Sequence, residues 1–231
     1  MLYICINQTV KPNGLFFISN LTNWLKTEVM AQKTIETQEN ILAAARTIFA
    51  QKGLAGARMQ EIADSAGINK ALLHYYYRSK EKLFEQIFEE AFKKLARPLA
   101  AFLADDSELF QKIRNICKLY NKVLIEYPFL PNFILNEVNT DPSRIIKIVN
   151  TEGVMSGKEK TLFQISKAVE DGIIREIDPR ELILNIISLS IFPFASKPIA
   201  SELLYKNANI DKVLSTRADQ VADFVIQSIK I

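Results

Sequence analysis

From Thr34 onward, apolar residues recur every three to four positions, the period of a helix with one buried face. Ile41, Leu42, Ala45, Ile48 and Phe49 form one such stripe and predict a helix that stops at Gly53. Two short helices are predicted next, one over about Met59 to Ser65, ending at Gly67, and one from the N-cap Asn69 to about Tyr75. Lys80 to Leu83 opens a longer helix with Phe84, Ile87, Phe88, Ala91 and Leu95 inward, broken or kinked at Pro98. Ile113, Cys117, Tyr120 and Leu124 mark another, ending before Pro128, and Pro131 and Pro142 stand early in its successors. Leu162, Ile165 and Val169 belong to a helix closed by Gly172. Asp178, Pro179 and Glu181 spell a capping box ahead of Leu182 to Phe192, a run apolar almost all round. No strand pattern competes, so the fold class is all-α.

A helix apolar all round is buried on every side. With the stripe Ala218, Val221, Ala222, Val225 and Ile229, that run fits either a subunit interface or the central helix of a single core.

Residues 1–29 lack this period and carry the turn signal Pro12-Asn13-Gly14. Their apolar patch is too short and too polar to span a membrane, and no basic n-region or cleavage site marks a signal peptide. Residues 1–32 read as a disordered extension or a mis-called start, with translation beginning at Met30.

Composition narrows the chemistry. The 231 residues are 48 % hydrophobic and 24 % charged, a globular balance, and seven Gly with eight Pro are too few for an all-β chain. One histidine, His74, and two cysteines, Cys5 and Cys117, cannot build a zinc cage. No catalytic constellation surrounds His74, so no catalytic residue, metal or cofactor is expected. Cys117 reads as a small core residue in a reducing, cytoplasmic setting. Residues 31–97 carry a net charge of +3 and residues 98–231 a net of −1, a mildly basic block ahead of a neutral remainder.

That block contains Gln60-Glu61-Ile62-Ala63-Asp64-Ser65-Ala66-Gly67-Ile68-Asn69-Lys70-Ala71-Leu72-Leu73-His74-Tyr75-Tyr76-Tyr77. Small Ala63 and the turn residue Gly67 meet the needs of a helix-turn-helix. Asn69 and Lys70 open its second helix with donors beside a positive helix end. Four consecutive rings cannot all be buried on one helix face, so some of His74 to Tyr77 point outward, where phenols donate to phosphate. Lys80 adds a cation at the start of the next helix.

Over residues 34–83 the chain resembles the TetR/AcrR family of transcriptional regulators, in the stretch Glu61-Ile62-Ala63 to Ala66-Gly67-Ile68 and in the signature Leu73-His74-Tyr75-Tyr76-Tyr77-Arg78-Ser79-Lys80-Glu81-Lys82-Leu83. The resemblance implies a DNA-binding homodimer of nine- or ten-helix subunits, not an enzyme, that reads a palindromic operator and responds to a small molecule. It implies a helix-turn-helix domain over 33–80 and a ligand-binding and dimerisation domain over 81–231. Carried over by position, Gln60 stands where a base- or phosphate-contacting Arg is common, Lys70 and Ala71 form the exposed first turn, and Leu72 replaces a Thr or Ser. Tyr75 and Tyr76 match positions that touch phosphate and base edges, and Lys80 matches a phosphate-binding Lys. His74 replaces the usual Tyr and is either a half-buried packing residue or a DNA contact. Arg58 stands in place of a Ser or Thr cap, a loss that a phosphate contact of its own would offset. Tyr77 takes the core aromatic position. The departures at Leu72 and Arg58 leave room for a helix-turn-helix kept as a protein scaffold.

The resemblance also implies that the last two long helices form the dimer interface, which assigns Leu182, Ile183, Ile186, Ile187, Val221, Ala222 and Val225 to it. Aromatic residues concentrated between 98 and 192 predict the effector pocket: Phe102, Phe110, Tyr120, Tyr127, Phe133 and Phe163. Walls of that kind suit an apolar or amphipathic ligand.

Overall fold

A computed structural model describes residues 14–231 of the chain. Among the described residues there are twelve helices and no strand, and Ile174 and Lys230 meet in one isolated bridge. The all-α class is as expected.

Helix α1 runs Gly14–Gly56 and breaks at Gly53, whose φ of 64° and ψ of −179° are open only to glycine. The expected stop is therefore there, followed by one more turn. The start is a correction: the pattern begins at Thr34, yet helix continues back through Met30 to Gly14. Residues 24–36 are all exposed, Trp24 and Met30 among them, so no packing partner imposes a period on them. Helix propagates there from the packed turns behind it. The part of the predicted extension that covers residues 1–13 lies outside the described residues.

Two short helices follow, α2 (Met59–Ser65) and α3 (Lys70–Tyr76), and then the long α4 (Lys80–Ala104). Pro98 does not end α4. Leu95, Ala96, Ala100 and Leu103 are buried around it, and that packing holds the turn lacking an N–H. The remaining helices are α5 (Leu109–Glu126), α6 (Leu130–Thr140), α7 (Ser143–Thr151), α8 (Val154–Glu170), α9 (Pro179–Ala195), α10 (Lys197–Leu203), α11 (Ile210–Ser215) and α12 (Arg217–Ile229). Helices as short as α10 and α11 hold fewer than two turns and leave no readable period.

The head, α1 to α3, closes over Ile41, Ala45, Phe49, Ile62, Ala63 and Leu73. It is sealed to α4 by the edge-on pair Phe49 and Phe84, centroids 4.8 Å apart, and by the ion pair Arg46–Glu90 at 3.1 Å. In the body, α4 lies along α5 and α8. A Cβ on Gly157 of α8 would sit 2.7 Å from Cβ of Leu103, so these helices cross at glycine distance. Asp178 caps α9, accepting from the Arg180 N–H at 2.8 Å, but the returning arm is the Arg180 guanidinium at 2.6 Å rather than Glu181. Those bonds hold the Asp178 carboxyl down at about 2. Cys117 is buried, and burial pushes its thiol up to about 11. Among the described residues no single helix is long and apolar enough to cross a membrane.

Candidate nucleic-acid interface and effector cavity

Helices α2 and α3 meet at a glycine turn. Gly67 takes φ +69°, its N–H reaches the Asp64 carbonyl at 3.2 Å, and the Ile68 N–H reaches that of Ala63 at 3.0 Å. Ala63 and Leu73 are fully buried, which seats α3 against the head core. Asn69 caps α3 by accepting from the Leu72 N–H at 2.8 Å. The first N–H groups of a helix have no carbonyl partner one turn back, and an anion is favoured beside them.

Lys70, Ala71, His74 and Tyr75 are exposed together, spaced so that they share one face of α3. Tyr75 is 81 % exposed and meets the half-buried Tyr76 ring edge-on at 5.5 Å. Tyr77 is buried, as a core position requires. His74 is not half-buried; its ring faces solvent, with Nδ1 3.3 Å from the Arg78 carbonyl. Leu72 is half-buried and Asn69 exposed. Arg58 is exposed at the start of α2 and forms no side-chain cap, and Gln60 is exposed with its amide donating to Asp64 Oδ1 at 2.8 Å. Among the described residues Arg58, Lys70 and Arg78 make no ion pair. Arg78 was readable only as a cation inside the signature. Lys80 is the exception to the outward pattern: it is half-buried, and its Nζ donates to the Ala57 carbonyl at 3.2 Å.

The body encloses a cavity of about 150 Å³ between α4, α5, α8 and α9. Its walls are aliphatic: Leu99 and Leu103, Ile113 and Ile116, Ile165 and Ile186. Of the six aromatic residues expected to form a pocket, only Tyr120 lines it. Phe163 is 71 % exposed, Phe102 is half-buried off the cavity, and Phe110 lies under the Lys230 ammonium. Tyr127 is buried with its hydroxyl 2.6 Å from Lys94 Nζ, and Phe133 joins a ring cluster with Phe84 and Phe88. Aromatic density marked the core, and the aliphatic wall was hidden among ordinary helix stripes.

Most of the residues assigned to the subunit interface are packed within one chain. Leu182, Ile186, Val221, Ala222 and Val225 are at most 5 % exposed inside one subunit, and Ile183 and Ile187 are half-buried at the cavity. The apolar side chains that α9 and α12 leave outside are Leu184, Phe192 and Phe224, exposed by 53 to 68 %.

Residues 41–87 match the family described as bacterial regulatory proteins, tetR family. The chain is 29 % identical over 181 residues to the probable HTH-type transcriptional regulator YttP of Bacillus subtilis, covering 74 % of this chain and 83 % of that protein. It is 30 % identical over 146 residues to the HTH-type transcriptional regulator RutR of Escherichia coli K12, covering 63 % of this chain and 68 % of the relative. In fold it is similar to the ketosteroid transcriptional regulator KstR2 of Mycobacterium tuberculosis, with TM-score 0.62, 14 % identity, and 84 % and 95 % of the two chains covered.

Proposed function

The chain belongs to the TetR family of bacterial regulatory proteins and is a DNA-binding transcriptional regulator rather than an enzyme, and from that we propose a ligand-released repressor acting as a homodimer on a palindromic operator. The carrying observation is the single face of α3 that exposes Lys70, Ala71, His74 and Tyr75, flanked by Arg58 and Arg78, which make no ion pair among the described residues. A helix this narrow enters a major groove; Lys70 and Tyr75 reach base edges, while Arg58, Tyr76 and the α3 N-terminus hold phosphate. Gln60 pairs with adenine if it leaves Asp64, Leu72 packs on a thymine methyl, and Lys80 reaches a phosphate by leaving Ala57.

In this reading residues 33–80 bind DNA, residues 81–231 bind ligand and dimerise, and the protein works in the cytoplasm beside its operator. Leu184, Phe192 and Phe224 form the face that a second subunit covers, and the dimer holds two α3 helices about 34–36 Å apart, one turn of the duplex. Helix α4 is the lever. It is about 37 Å long, with Lys80 at the head end and Leu99 and Leu103 on the cavity wall. A small apolar or amphipathic ligand that spreads the cavity tilts α4 and changes the separation of the heads, and DNA weakens ligand binding reciprocally.

The test is a mobility shift of the purified dimer on DNA from upstream of its own gene, followed by footprinting. Retention of a two-fold symmetric site supports the reading; failure to retain any duplex at low salt without ligand overturns it.

A further inference from the structure

His74 is the one histidine of the chain, and it stands on the exposed face of α3 among groups of a different kind. Lys70 on that face only donates, as do Arg58 and Arg78 beside it, and the Tyr75 phenol both donates and accepts. What the imidazole offers depends on where its proton sits. A neutral ring donates from one nitrogen and accepts at the other, and the bond made by the first decides the second.

Nδ1 of His74 lies 3.3 Å from the backbone carbonyl of Arg78. Arg78 stands between Tyr77, the C-cap of α3, and Ser79, the N-cap of α4, so its carbonyl has no helical partner. Among the described residues no other group donates to it. A carbonyl oxygen only accepts, so the pairing needs the proton on Nδ1; with the proton on Nε2, two lone pairs would face each other. Nε2 is then a bare acceptor on an exposed ring, and it has no partner among the described residues.

The tautomer selects what the ring can meet on a duplex. Phosphate oxygens only accept, so a bare nitrogen gains nothing from the DNA backbone. Guanine O6 and N7 and thymine O4 accept as well. The donors in a major groove are the amino groups of adenine and cytosine.

We infer that His74 is a specificity-determining residue: the Arg78 carbonyl fixes its tautomer so that Nε2 accepts from the amino group of an adenine or a cytosine in each half-site. This rests on the proposed operator binding and adds a base preference to it.

The experiment has two arms, both on the full-length protein at pH 8.5. Long-range nitrogen–proton NMR of the uniformly labelled protein reads the lone imidazole without DNA. A proton-bearing Nδ1 and a bare Nε2 are expected, and any pattern with a proton on Nε2 overturns the inference. Selection from a randomised half-site library is then run on the wild type, His74→Phe and His74→Arg. One position should favour adenine or cytosine in the wild type, lose that preference about fivefold in His74→Phe, and turn to guanine in His74→Arg, whose guanidinium donates to O6 and N7. Unchanged preferences at the other positions report that each variant folds and docks. A wild-type preference for guanine or thymine at the position that His74→Phe relaxes, or no position relaxed at all, overturns the inference while operator binding stands. A protein that retains no duplex sinks the operator-binding reading and the inference with it.

Discussion

The ammonium of Lys80 donates to the carbonyl of Ala57 at 3.2 Å, joining the first residue of α4 to the link between α1 and α2. The same side chain thus couples the lever to the head and stands beside the surface assigned to DNA. Lys80→Ala should weaken operator and non-specific duplex alike and reduce the slope of log affinity against log salt by about 0.9, as loss of one phosphate contact does. An unchanged slope, measured by titration at several salt concentrations, would leave Lys80 a purely structural tie.

Lys70 is exposed on the first turn of α3 and unpaired among the described residues. Lys70→Ala should change which base is preferred at one position of each half-site, at a cost of about 1–3 kcal/mol there. Selection from a randomised half-site library checks this; a uniform loss across all sequences would instead make Lys70 a phosphate contact.

Asn69 is the cap of α3 through its bond to the Leu72 N–H. Asn69→Ala should destabilise the fold by about 1 kcal/mol, while Asn69→Asp or Asn69→Ser should restore most of it. Urea denaturation of the three variants measures the difference.

Gly157 faces Leu103 across the crossing of α4 and α8 with no room for a methyl group. Gly157→Ala should cost about 1–3 kcal/mol, the range for overpacking a tight contact, and lower the thermal midpoint. If the methyl forces α4 outward, ligand affinity should change with it. A neutral substitution would show that the two helices separate freely.

Phe224 lies outside and Val225 inside, one residue apart on α12. Phe224→Asp should give a folded monomer by light scattering, with operator affinity lower by about a hundredfold because the second half-site is no longer tethered. Val225→Asp should instead lose helical circular dichroism, since it buries a charge. A dimeric Phe224→Asp protein would place the interface elsewhere.

The head was legible because its information is local. Gly53, Gly67 and Asn69 set backbone geometry by their own chemistry, and Ile62 and Ala63 on α2 and Leu73 on α3 are the apolar residues each short helix turns inward, so stops, turn and cap fell where the residues put them. Charge and size also left Lys70, Tyr75 and Arg58 few places but the surface.

What tertiary structure decided is which of several similar stripes faces which neighbour. Leu182 and Leu184 are equally apolar, yet one is 1 % exposed and the other 53 %, because the helices packed on α9, α5, α6, α8 and α12 among them, cover the first and leave the second in solvent. Tyr120 and Phe163 look alike as ring-bearing helix residues, and only the packing of four helices puts the first on the cavity and the second in solvent. Periodicity reports that a face is apolar; a covered face and a waiting one carry the same residues, since burial against one's own chain and against a partner removes water in the same way.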